Sequence, residues 1–322
     1  MSEHRGSPAA RAAGPDPFDP PEPAARRRVR SADGTSLNVE IHGPDDAPTV
    51  VLVHGWTCSI PFWAAVIRAL ATDPAPAGRL RVVAYDQRGH GGSDLPKPGS
   101  YSVQALVDDL VAVLDATLPA GKKAVLAGHS MGGMTIMAAA ESESVLSRTG
   151  GAVLASTGFH NLPATSRVVP LSARLPRFGI AAHTYILRSA MPLGPITPLT
   201  RAQLKYTALG PHASKHLARV NARIIHDCPR GPRAGWGHVL SGLDLSAAIG
   251  RLDVPTAVVF GTRDRLTPAP HAHEIADALP QCTGVTLLPG LGHMTPMEAP
   301  DTVAGLIRER VAAARQAEGA GR

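Results

Sequence analysis

Ser130 is flanked by glycine two positions away on either side, in the run Gly128-His129-Ser130-Met131-Gly132. An apolar run over 123–127 precedes it, and a helix-like stretch over 131–140 follows it. A sharp turn from strand to helix would hold this serine in a strained backbone conformation, and the two glycines would let neighbouring backbones come close. The chemistry that such a residue can do is nucleophilic catalysis. A serine hydroxyl is a weak nucleophile near neutral pH, so it needs an adjacent base, and that base needs an orienting acid. Other chemistries lack their residues: H-E-x-x-H, G-x-x-x-x-G-K-S/T and a strand-linked G-x-G-x-x-G with a trailing acid are all missing from the chain. The three cysteines, Cys58, Cys228 and Cys282, are far apart and have no C-x-x-C spacing. Neither a disulfide framework nor a zinc site is indicated, and no cofactor or metal is expected.

The elements that must position Ser130 read as a parallel sheet covered on both faces. Short apolar runs recur at 49–53, 80–85, 123–127, 152–155, 255–260 and 285–288, most of them ending in a loop that bears Gly, Asp or His. Between them lie helical patterns, such as Val103, Leu106, Val107, Leu110, Val111 and Leu114, and finally Val303, Leu306, Ile307 and Val311 with Asp301 near the start. Strand-then-helix alternation predicts a doubly wound α/β sheet. Leu37, Val39 and Ile41 alternate with polar residues just after Asp33-Gly34, which predicts an opening β-hairpin with a two-residue turn.

The alternation stops between about Gly158 and Gly250, where no strand-like run occurs and prolines recur. This reads as an insertion of short helices, one of them carrying Leu217, Val220, Ile224 and Ile225 and stopping before Pro229. Residues 157–250 hold nine arginines and two lysines against only Asp227 and Asp244, a net charge of +9 in a chain whose total is +6. Such an insertion either draws anionic substrates or an acidic surface, or is a solvated arginine-rich face. Nucleic-acid binding is not expected, because the five aromatic residues of this segment are not interleaved with a basic run.

With these motifs in view the chain resembles the α/β-hydrolases, and within them the cap-bearing esterase, haloperoxidase-like and C–C hydrolase branch. The matching residues are His54-Gly55-Trp56, Asp86-Gln87-Arg88-Gly89-His90-Gly91-Gly92-Ser93, Gly128 to Gly133, Gly261-Thr262-Arg263-Asp264 and Gly290-Leu291-Gly292-His293. The resemblance implies a catalytic triad of Ser130 as nucleophile, His293 as base and Asp264 as orienting acid, in the chain order of that fold. Of the 14 histidines only His293 lies in the glycine-bearing loop beyond the last strand. Asp253, Asp277 and Glu298 are weaker acids by position, lying before the strand, on a helix face, or past the histidine. The resemblance further implies an oxyanion hole made by the backbone amides of Trp56 and Met131. It gives His54 a structural role, makes Asp86, Arg88 and Gly89 a loop-fixing set, and leaves His129 a packing residue. Epoxide hydrolases and haloalkane dehalogenases of this fold carry an aspartate where this chain has Ser130.

These readings lead to a serine hydrolase of a carboxylic ester or related small acyl substrate. A C–C bond hydrolase, a cofactor-free perhydrolase, an acyltransferase, or a ligand receptor on the same scaffold are the alternatives. The expected organisation is a disordered tail over 1–28, hydrolase core over 29–156 and 251–316, a helical cap over 157–250, and a short tail over 317–322. At 44% hydrophobic residues and a mean hydropathy of zero the chain can bury a large core. No apolar run reaches the length of a membrane span, the N-terminus has no apolar segment of the kind a secretory signal needs, and a cytoplasmic setting is expected.

Overall fold

The computed structural model describes residues 16–73, 78–97, 99–169 and 174–320. Its eight strands are β1 (Ala25–Arg30), β2 (Ser36–His42), β3 (Thr49–Val53), β4 (Arg81–Tyr85), β5 (Ala124–His129), β6 (Thr149–Ala155), β7 (Thr256–Gly261) and β8 (Cys282–Leu288). They form one sheet in the order β1-β2-β4-β3-β5-β6-β7-β8. β2 pairs antiparallel with both β1 and β4, and every other pairing is parallel, so β2 alone runs against the rest. This is the doubly wound α/β sheet that the apolar runs predict.

Both faces of the sheet are covered, which is why its central strands read as unbroken apolar runs. Along β3, Val51 and Val53 join one hydrophobic cluster while Val50 and Leu52 join the other. The first cluster takes in α2 (Val103–Thr117), α3 (Met131–Ala138) and α11 (Pro270–Ala278), through Leu110, Met134 and Ile275. The second takes in α1 (Ala64–Ala71) and α13 (Pro300–Ala320), through Ile67, Leu70 and Ile307. All eight residues of α3 are buried, as its uniformly apolar and small composition requires. The short α4 (Glu143–Leu146) and α12 (Thr295–Glu298) complete the core helices.

Between β6 and β7 lie α5 (Leu162–Thr165), α6 (Pro176–Arg188), α7 (Pro198–Ala208), α8 (Lys215–Asp227), α9 (Arg230–Ser241) and α10 (Ser246–Ile249). Among the described residues the only strand-type pairing in this insertion is the isolated bridge between His160 and Asp244. The helix anticipated around Leu217 to Ile225 is α8, which ends at Asp227, just before Cys228-Pro229.

The ends of the chain depart from expectation. Residues 1–15 lie outside the described residues, but Ala25–Arg28, placed by the sequence in an unstructured tail, belong to β1. The strand had no apolar alternation to announce it, because Arg26, Arg27 and Arg28 are all exposed at the edge of the sheet. Its register against β2 holds it instead, with Arg28 reaching Asp94 at 2.6 Å and Arg26 reaching Glu40 at 3.3 Å. The hairpin loop spans 31–35, longer than the two-residue turn suggested by Asp33-Gly34. At the other end α13 continues through Ala320, since Ala, Arg, Gln and Glu at 312–318 are good helix formers, so 317–320 is helix and not tail. No helix among the described residues is long and apolar enough to cross a membrane.

Candidate active site

Ser130 stands between the last residue of β5 and the first of α3, with φ 52° and ψ −118°. A non-glycine residue in this region stores about 1–3 kcal/mol, so neighbours must hold it there. They do: the Ser130 amide donates to the Ala155 carbonyl at 3.0 Å, its carbonyl accepts from the Met134 amide at 3.1 Å, and the Thr157 hydroxyl donates to the same carbonyl at 2.7 Å. The glycines expected to permit close approach do so. A Cβ on Gly132 would lie 2.0 Å from the Val53 carbonyl oxygen, and one on Gly128 would lie 2.5 Å from the Gly132 backbone. The turn therefore presses β5, β3 and the start of α3 together around the serine.

Asp264 and His293, 29 residues apart in the chain, meet at the ends of β7 and β8. Nδ1 of His293 is 2.8 Å from Oδ2 of Asp264, and both side chains are buried. The other carboxylate oxygen accepts the amides of Leu266 and Thr267, each at 2.9 Å. The Thr267 hydroxyl donates to Oδ2 at 2.9 Å and lies 3.2 Å from Nδ1. Commitment of Nδ1 to the carboxylate leaves Nε2 as the ring nitrogen able to take a proton. The loop bearing His293 is itself anchored: the amides of His293 and Met294 donate to the Ala208 carbonyl at the end of α7, and the Gly292 amide donates to Glu298 at 2.8 Å.

Three further histidines shape the site without standing where Asp264 and His293 stand. Nδ1 of His54 donates to the Gly55 carbonyl at 2.8 Å and its Nε2 accepts the Gln87 amide at 2.9 Å, so it fixes one loop against another as a neutral ring. Burial pushes its pKa down to about 4. His90 accepts the Thr57 amide at 3.2 Å, and burial together with the nearby His54 pushes it down to about 3. Nε2 of His129 donates to the His293 carbonyl at 2.9 Å, and its ring packs on that of His293 with centroids 4.8 Å apart. Its pKa is held well below the usual value by burial. His129 is thus a packing residue, as expected, and one that also ties the serine turn to the histidine loop.

Asp86 accepts the amides of Ile60 at 2.7 Å and Gly92 at 2.8 Å and the Asn38 side chain at 2.9 Å. Arg88 forms a two-pronged bond with Asp109, at 2.8 and 2.6 Å, and a second ion pair with Asp33 at 2.7 Å. These contacts fix the loop after β4, which in turn supports Trp56 and Thr57 through His54 and His90. Met131 is the first residue of α3, so its amide has no intrahelical partner. Among the described residues neither that amide nor the Trp56 amide has an acceptor.

Ser130 and His293 line one cavity of about 340 Å³. Its walls come from the core through Trp56, His129, Met134 and Met294, and from the insertion through residues such as Leu187, Met191, Leu204, Ile225 and Arg233. Core and insertion are pinned together where the Trp56 indole N–H donates to the Arg233 carbonyl at 2.9 Å. Sequence reading missed Thr267, Arg233 and the anchoring role of Glu298. Only Glu298 had a signal, five residues past His293, and it stands as a loop anchor and not as the acid partner. Among the described residues no group of three or more His, Cys, Asp or Glu side chains is arranged to hold a metal ion.

Comparison with known proteins agrees with this architecture. A family model described as the alpha/beta hydrolase family matches residues 50–306. The candidate carbamate hydrolase RutD of Variovorax paradoxus is 30% identical over 267 residues, covering 80% of this chain and 89% of that protein. A thermophilic esterase from Thermogutta terrifontis superposes with a TM-score of 0.70 at 24% identity, over 90% of this chain and 99% of its own. A meta-cleavage product hydrolase from Pseudomonas fluorescens superposes with a TM-score of 0.68 at 20% identity, over 89% and 98% of the two chains.

Proposed function

The chain belongs to the alpha/beta hydrolase family, and from that premise we propose that it is a serine hydrolase cleaving a carboxylic ester or related acyl substrate through a covalent acyl-enzyme. The observation that carries this reading is the 2.8 Å bond from His293 Nδ1 to Asp264, placed behind a cavity that Ser130 and His293 both line. Ser130 attacks the substrate carbonyl carbon while Nε2 of His293 takes the hydroxyl proton. Asp264 holds the imidazole in the Nδ1–H form and stabilises the imidazolium that results. The negative charge on the carbonyl oxygen falls to the amides of Met131 and Trp56, each such donor being worth about 10²–10³ in rate. Collapse of the tetrahedral intermediate breaks the ester C–O bond, His293 returns the proton to the leaving alcohol, and water repeats the sequence to free the acid.

The inserted helices act as a cap over this chemistry, and their contribution to the cavity walls sets the substrate. Ligand pockets run from about 300 to 1,000 Å³, so a cavity of about 340 Å³ favours a compact acyl group over a long lipid chain. A cytoplasmic setting is part of this reading, in keeping with the free thiols of Cys58, Cys228 and Cys282.

A serine-reactive fluorophosphonate, read by mass spectrometry, tests the mechanism together with burst kinetics on nitrophenyl esters from acetate upward and on a nitrophenyl carbamate. Label on Ser130 and a burst abolished in Ser130→Ala are expected. Turnover retained by Ser130→Ala would refute the acyl-enzyme route.

A further inference from the structure

Arg233 is 7% exposed, lies among the apolar walls of the Ser130 cavity, and pairs with no carboxylate among the described residues. The two other arginines of comparable burial among the described residues are both paired, Arg88 with Asp109 and Asp33 and Arg81 with Asp45. For Arg233 the partner is a neutral carbonyl: its Nη2 donates to Met191, and no acceptor among the described residues takes the donors of Nε and Nη1. A charge drawn partly out of water without a counter-charge is costly, and desolvation accordingly lowers the guanidinium pKa.

Its surroundings make the deficit of negative charge larger. Arg233 lies in the first turns of α9, where the aligned peptide dipoles present positive potential and a cation is unfavourable. Among the described residues no Asp or Glu lines the cavity, and His183, which also lines it, is pushed down to about 4 by burial and so stays neutral. The residue is also held in place. Its carbonyl accepts the Trp56 indole N–H, so the backbone of Arg233 is fixed to the residue whose own amide faces the chemistry in the proposed mechanism.

We propose that Arg233 forms an anion subsite and that the acyl portion of the substrate carries a carboxylate, as in a half-ester of a short dicarboxylic acid. This rests on the serine-hydrolase reading above and specifies its substrate. The guanidinium offers a planar pair of N–H donors that matches a carboxylate, and an apolar, partly enclosed setting strengthens that pairing. The anion supplies the charge that the protein leaves out, while the apolar walls accept the short carbon chain between carboxylate and ester.

The test compares two esters of the same acyl length, 4-nitrophenyl butanoate and mono(4-nitrophenyl) succinate, on the wild type, Arg233→Gln and Arg233→Lys. The wild type is expected to favour the succinate half-ester in kcat/KM by at least about tenfold, with the preference in KM. Arg233→Gln should abolish the preference, and Arg233→Lys should keep part of it. Preference of the wild type for butanoate, or an equal loss on both esters in Arg233→Gln, would overturn the anion subsite. Should Arg233→Gln fail to fold, inhibition of the wild type decides: succinamate, with one carboxylate, should compete with butanoate turnover, and succinamide should not. Equal inhibition by the two would overturn the proposal. Failure of the hydrolase reading itself looks different, since then neither ester is cleaved and fluorophosphonate does not label Ser130.

Discussion

Oε2 of Glu298 accepts the Gly210 amide at 2.7 Å while Oε1 accepts the Gly292 amide at 2.8 Å, so a single carboxylate ties the end of α7 to the loop that carries His293. The neighbouring bonds from His293 and Met294 to the Ala208 carbonyl reinforce the same junction. Movement of the inserted helices at this point therefore moves His293 as well. Glu298→Ala is expected to lower kcat by about 10²-fold, the cost of a displacement near 1 Å at a reacting group. Glu298→Gln should be milder, because its amide keeps one acceptor for the two donors. Steady-state kinetics beside thermal melting checks this, and a lower Tm with unchanged kcat would leave Glu298 with a purely structural role.

Asp264→Asn is expected to cut kcat by about 10⁴-fold with little loss of stability. If the Asn oxygen keeps the Leu266 and Thr267 amides, its NH2 group faces Nδ1 of His293. The ring must then carry its proton on Nε2, the form that cannot accept the proton of Ser130. Rapid kinetics on the nitrophenyl esters and a melting curve measure the two quantities, and near wild-type turnover would remove Asp264 from the mechanism.

His54 and His90 should titrate in the folded protein near about 4 and about 3, as their burial requires, with no change visible between pH 8 and 5.5. The unfolded chain protonates both near about 6.5. Each ring therefore contributes stability in full above that pH. The contribution is lost at about 1.4 kcal/mol per pH unit as pH falls from about 6.5 to the folded value. The buried carboxyls of Asp86 and Asp109, whose pKa values burial raises, act in the opposite direction, so bulk melting mixes the two. Histidine-resolved NMR separates them, and titration of either ring near pH 6.5 would contradict the burial.

Much of this was legible in the sequence where the signal is local. The 49–53 run is β3 residue for residue, because a strand buried on both faces must be apolar throughout. The turn at Ser130 announced itself through Gly128 and Gly132, whose missing side chains leave room for backbone at 2.5 and 2.0 Å. The motif order that places Asp264 and His293 beyond successive strands is likewise a property of the chain, and so is the insertion between β6 and β7.

What the tertiary structure decided are the pairings that cross the chain. Arg26, Arg27 and Arg28 carry no strand pattern, and only the register against β2 makes them β1. Thr267 becomes a partner of Asp264 and His293, and Glu298 a tie between Gly210 and Gly292, through bonds that span as many as 88 residues. Nothing in the local run around Arg233 distinguishes it from the other arginines of the insertion. Its unpaired charge is a fact about burial, and burial exists only once α9 is folded against Trp56. Hydrogen-bond partners and desolvation depend on which surfaces meet, whereas periodicity and glycine spacing depend on the chain alone.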